Sequence, residues 1–147
     1  MTKNADPALP ISLSPAQANA LASRLRVLEE DCRELERYLN GLDGICFEYP
    51  DTISESGKRA AKATLKEFLQ RLAALQRGLG LRKQRIDLRN LLNARLSHMW
   101  VTLHESKAES IRGYGTLPDE VRMFLDPRID QLLKLRDQLR HALRNEK

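Results

Sequence analysis

A chain of 147 residues with 41% hydrophobic and 31% charged side chains can bury a core of its own, without metal or disulfide staples. No apolar run reaches the roughly 20 residues that span a bilayer. The opening MTKNADPALPISLS lacks the basic start and apolar centre of a secretory signal, and the 2 cysteines, Cys32 and Cys46, make no disulfide framework, so a cytoplasmic protein is expected. The net charge of +5 is unevenly spread: residues 1–57 carry 5 basic and 10 acidic side chains, 58–95 carry 11 and 2, and 96–147 carry 9 and 8. The basic middle block raises nucleic acid as a partner. The plainer reading sets an acidic first helix beside a basic second one.

Residues 1–13, polar and carrying Pro7 and Pro10, are expected to be a disordered tail, with 14–147 as a single helical domain. The stretch SPAQ then starts a helix. Ser14 can cap it, Pro15 suits the first helical position, and Gln17 completes a capping box. Leu21, Leu25, Leu28, Cys32, Leu35, Leu39 and Leu42 follow at alternating spacings of four and three, and Gly41 supplies the left-handed residue at the end.

Residues 41–56 form a long first loop with no period, and it holds Ile45, Cys46, Phe47 and Tyr49. A loop of that length inside a compact domain either covers the core or makes contacts. Phe47 and Tyr49 are therefore candidate binding residues, with a plug over the bundle end as the preferred role.

A second helix begins near Gly57 and places Ala61, Leu65, Phe68, Leu72, Leu75 and Leu79 on one stripe, until GLG at 78–80 breaks it. A third is expected from Leu81 to Ile111, burying Leu88, Leu92, Leu96, Met99 and Leu103. After GYGTLP and a short turn at DEVRMFL, Asp126 is expected to cap a fourth helix opened by Pro127. Its stripe is Leu125, Ile129, Leu132, Leu135, Leu139 and Leu143.

Four helices of similar length predict an all-α, antiparallel up-down-up-down four-helix bundle. Antiparallel placement of helices one and two, with partner numbers summing to about 100, sets the small Cys32 opposite Phe68. It also brings Glu36 towards Lys62 and Asp31 towards Arg71.

The chemistry-bearing patterns are sparse. Di-metal bundles need a Glu-x-x-His pair, which the sequence lacks, and His98 and His104 point about 120° apart on a helix, so no metal or other cofactor is expected. Cys32 sits at a core position and reads as a small hydrophobe. Lys58, Lys62 and Lys66 form one basic row, and Arg82, Lys83, Arg85 and Arg89 a second. Such rows can hold phosphates, though no aromatic lies between Phe68 and Trp100 to stack bases.

In RDQLRH, Arg136 stands five residues before His141. That spacing resembles the Arg-x4-His signature of the HEPN ribonucleases, which are helical bundles that cleave RNA with this pair. The likeness spans six residues, and it implies Arg136 and His141 as the pair. Arg136 shares its helix with Arg140 and Arg144, the pattern of a solvated face.

The function expected is therefore non-enzymatic: a small interaction or assembly protein with a protein partner or a second copy of itself. A backbone-reading nucleic-acid binder and an RNase stand as alternatives.

Overall fold

The computed structural model describes residues 13–144, so the tail expected over 1–13 lies, apart from Leu13, outside the described residues. Regular structure among the described residues is all-α. It comprises α1 (Pro15–Leu39), α2 (Glu55–Gly78), α3 (Leu88–Glu105), the single turn α4 (Ala108–Ile111) followed by a 3-10 turn at Arg112–Tyr114, and α5 (Asp119–Arg144). The chain divides into two compact units, one ending at Gln84 and the other beginning at Arg85.

In the first unit α1 opens as its sequence dictates. Ser14 Oγ accepts from Gln17 N–H at 3.2 Å while the Gln17 side chain accepts from Ser14 N–H at 3.0 Å, and Pro15 takes the first position. Gly41, at φ +88°, turns the chain out of the helix. Ser54 caps α2 through the Gly57 N–H at 3.1 Å, so this helix starts at Glu55, two residues before the expected glycine.

At the far end of α2, Gly80 is left-handed at φ +64°. The Leu81 and Gly80 N–H groups close back on the Gln76 and Arg77 carbonyls, both at 3.0 Å, and Leu81 is buried. Gln84 then donates to Ser23 Oγ at 2.7 Å and accepts from Arg26 Nε at 2.9 Å. The segment beyond the end of α2 therefore lies at the early turns of α1, and the two helices run antiparallel.

Residues 81–87 carry no regular structure, where the sequence predicts the third helix to have begun. The closure at Leu81 and the Gln84 side-chain bonds hold them so. Helix α3 starts only where Asp87 accepts from Arg89 N–H at 2.9 Å, and it ends at Glu105, short of the expected Ile111.

The second departure is at Pro127, which does not open a helix but lies inside α5. A proline there leaves the Met123 carbonyl without its helical donor. One turn on, Arg128 Nη1 bonds the Phe124 carbonyl at 2.8 Å, and its guanidinium sits 3.6 Å over the Phe124 ring. Asp126 does cap a helix, but not its own. Its carboxylate accepts from the N–H of Ala108, the fully buried first residue of α4, at 2.9 Å.

That bond, the Lys107–Asp130 ion pair at 2.7 Å, and a 2.9 Å bond from Arg136 Nε to the Leu96 carbonyl join α5 to α4 and α3. Pairings of 107 with 130 and 96 with 136 run in opposite senses, so α5 is antiparallel to α3.

Candidate functional site

The stripes are covered on one side only. In α1, Cys32 is buried and Leu25 and Leu39, seven residues to either side, are half-buried. Leu28 and Leu35, also seven apart, are open. In α2, Leu65, Leu72 and Leu79 are half-buried, while Phe68 and Leu75 are open. The four open side chains each keep between 40% and 50% of their surface exposed.

On antiparallel helices both open positions lie on the same side of the contact line, so the hairpin presents one continuous apolar face. A closed two-stranded coil would cover both positions alike. The ion pairs of these helices run along each helix rather than across the hairpin: Arg33 with Glu36 at 3.5 Å and Arg71 with Glu67 at 2.8 Å. Neither cross-hairpin pairing expected from the register forms.

The second unit repeats the pattern. Ile129, Arg136 and Leu143, seven apart in α5, turn towards α3 or are half-buried, whereas Leu132 and Leu139 are open, as is Met99 on α3. Here the sequence reading is corrected at two neighbours. Leu135, expected in the core, is 54% exposed, and Arg136, expected on a solvated face, is 6% exposed. The row of sevens through Ile129 and Leu143 passes through position 136. The arginine stem fills it, and the guanidinium finds the Leu96 carbonyl and, at 3.0 Å, Asp137.

The first loop is more ordered than its lack of period suggested. Gly44 N–H bonds the Phe47 carbonyl at 3.2 Å, and Asp43 and Glu48 face each other in an isolated antiparallel bridge. The Phe47 ring lies over Gly44, where a Cβ would stand 2.6 Å from it, so a larger residue there would displace the ring. Phe47 packs on Tyr49 with ring centroids 5.3 Å apart, and Tyr49 meets Tyr38 of α1 edge-on at 5.9 Å.

Tyr38 in turn donates to Glu34 at 3.0 Å, which holds its phenol above the ordinary value. Asp51 is paired with Lys58 in the first turn of α2. The lysine lowers the Asp51 carboxyl and is itself raised by it. Phe47 and Tyr49 thus form a surface aromatic ladder, and both remain more than half exposed.

The four basic candidates fall in different units. Arg82 and Lys83 are exposed on the irregular segment after α2, while Arg85 and Arg89 belong to the second unit. The sequence reading sets Lys62 and Lys66 in a row with Lys58, but Lys58 is engaged by Asp51, and the row the fold exposes takes in Arg59 and Arg77 instead. Arg59, Lys62, Lys66 and Arg77 all lie exposed on the flank of α2 opposite the open Phe68 and Leu75. None of them makes an ion pair among the described residues. The helical periods of both stripes were sufficient to find it.

Arg136 and His141 are not convergent. The arginine is buried with its donors engaged, and the histidine is exposed on α5. Burial and the neighbouring carboxylates of Asp31 and Glu36 raise the Cys32 thiol, which keeps it protonated, and Cys46 is exposed on the loop. No group of three or more His, Cys, Asp or Glu side chains that could hold a metal occurs among the described residues. An open depression in the second unit, of about 690 Å³, is lined by Arg112, Arg122, Asp119 and the Gly113–Thr116 turn. Its Arg112 is engaged by Glu109 at 3.1 Å.

Among the described residues no helix is long and apolar enough to cross a membrane. The chain matches no family model, no curated protein and no solved structure.

Proposed function

We propose that this protein is a non-enzymatic assembly module of the cytoplasm, whose helical hairpins each offer an open apolar face to further helices. One observation carries the reading: in both hairpins one heptad position is covered and the other is left open. The four open side chains of α1 and α2 leave on the order of 350 Å² of apolar surface in one patch, within the roughly 300–600 Å² of the largest apolar patch on a typical monomer, which is often functional. An antiparallel four-helix bundle is the arrangement that covers such faces, and two copies of one hairpin supply its four helices.

The test is light scattering after size exclusion, with Leu35→Lys and Leu132→Lys compared with the unaltered chain. Loss of assembled mass in either variant, with helical content retained, supports the reading. A monomeric mass in all three, with no dye binding to exposed apolar surface, overturns it.

A second reading is favoured by the unpaired row Arg59, Lys62, Lys66 and Arg77. It would contact the phosphates of a nucleic acid without reading bases, and Arg82 and Lys83 would extend it. Affinity for a random duplex should then fall steeply with salt, and Lys62→Glu with Lys66→Glu should flatten the slope by about two phosphates' worth. A slope unchanged by both substitutions removes this reading.

A further inference from the structure

We infer that the open face of the α1–α2 hairpin is an isologous interface, covered by the same face of a second copy about a two-fold axis parallel to the helices. This rests on the assembly reading above and names its partner. The argument starts from two charges. Asp31 lies three residues after Leu28 and four before Leu35, so it edges the open row of α1. Arg71 stands in the same relation to Phe68 and Leu75, and so edges the open row of α2.

Both lie on the outer margins of the face, one on each side, turned away from the contact between the helices. Asp31 makes no ion pair among the described residues. Arg71 holds only Glu67 within its own helix, with its side chain 80% exposed. The half-buried positions at the two ends, Leu21 and Leu79 at one and Leu39 and Ala61 at the other, fit the expected register in which partner numbers sum to about 100, and in it Asp31 and Arg71 stand at nearly the same height on opposite edges.

A two-fold axis along the hairpin exchanges those edges without changing height. It therefore sets Asp31 against Arg71 of the second copy, and Arg71 against its Asp31. The same operation lays Leu28, Leu35, Phe68 and Leu75 on their counterparts, with every neighbouring helix antiparallel. A copy related in this way is complementary in charge at both margins and apolar between them, as an isologous contact requires. The four open side chains supply on the order of 350 Å² per copy, under half of the roughly 800 Å² per partner of a standard interface, so the association is a weak one.

The experiment is sedimentation equilibrium of the full chain over a wide concentration range. The unaltered chain is compared with Asp31→Arg, Arg71→Asp, the double exchange Asp31→Arg/Arg71→Asp, and Leu132→Lys. The expected result is a species of twice 16.8 kDa. Each single exchange should raise its dissociation constant about tenfold, and the double exchange should restore it. Because the two residues lie on opposite margins of one hairpin, rescue reports contact between copies and not repair of the fold. A dimer indifferent to both single exchanges, or one lost only with Leu132→Lys, overturns this inference and leaves the assembly reading standing. A monomer at every concentration that binds no apolar dye overturns both.

Discussion

The two hairpins reach the same outward pattern by different means. The α1–α2 pair is held by half-buried leucines around Cys32, the ion pairs of its helices run along each helix at the surface, and its long-range side-chain bonds, from Gln84 to Ser23 and Arg26, lie exposed beyond the end of α2. The α3–α5 pair is pinned by polar links between distant residues: Arg136 to the Leu96 carbonyl, Asp126 to the Ala108 N–H, and Lys107 to Asp130. Apolar stripes attract without direction and tolerate sliding by a turn. A buried guanidinium that must find one carbonyl does not. The second hairpin should therefore be fragile at single polar positions, and the first should yield only to changes spread along its stripe.

The strongest test of that contrast is Arg136→Ala. It removes a side chain only 7% exposed together with its bond to Leu96, and it should cost about 3 kcal/mol in urea unfolding. Arg136→Met keeps the aliphatic stem and should recover about half of that. A loss below about 0.5 kcal/mol for the alanine variant would mean that the hairpin is not pinned there.

Asp126→Ala should cost about 1–2 kcal/mol by uncapping α4, whereas Asp126→Asn, which can still accept from Ala108 N–H, should cost a few tenths. Equal losses in the two variants would point to the charge rather than the cap.

In the first hairpin Phe47→Ala should cost about 1 kcal/mol, well short of a buried phenylalanine, because the ring is 53% exposed. A thermal shift matching more than about 2 kcal/mol would place the ring in a closed core.

The Asp51–Lys58 clip gives a pH signature with a defined sign. The folded Asp51 carboxyl is lowered, first by its bond from Lys58, so its contribution is complete above the ordinary value of 3.8 and fades as pH falls through the lowered one. Lys58 is raised, so its share is lost only as pH climbs past its own ordinary value of 10.5. Acidification below 3.8 should therefore change the near-ultraviolet signal of Tyr38 and Tyr49 before helical content falls. Asp51→Asn should abolish that early step, and its persistence would assign the signal elsewhere.

The smallest expected effect is none at all. RNA cleavage by the chain should not exceed that of His141→Ala, and turnover abolished by both Arg136→Ala and His141→Ala would overturn the non-enzymatic reading.

Much of the fold is legible in the sequence because its signals are local. The capping box at Ser14–Gln17, the left-handed Gly41, the break at residues 78–80, and the alternating four-three stripes depend on neighbours within one or two turns, so composition and spacing suffice to place them. What the sequence could not settle are the matters decided by contacts distant along the chain. Asp126 reads as the cap of its own helix, because nothing nearby reveals that Ala108 needs an acceptor. Arg136 reads as surface, because its position in a row of sevens counts only once Leu96 lies beside it. Leu81–Asp87 reads as helix, because the closure at Gly80 and the hold of Gln84 on Ser23 and Arg26 involve another element. Charge follows the same rule: the register sets Glu36 towards Lys62 and Arg71 towards Asp31, yet Glu36 and Arg71 each pair within their own helix, where a partner one turn away costs less side-chain entropy to hold. The periodicity determined which residues line the stripe. Only tertiary structure decided which half of each stripe is covered, because burial belongs to pairs of surfaces and not to either sequence alone.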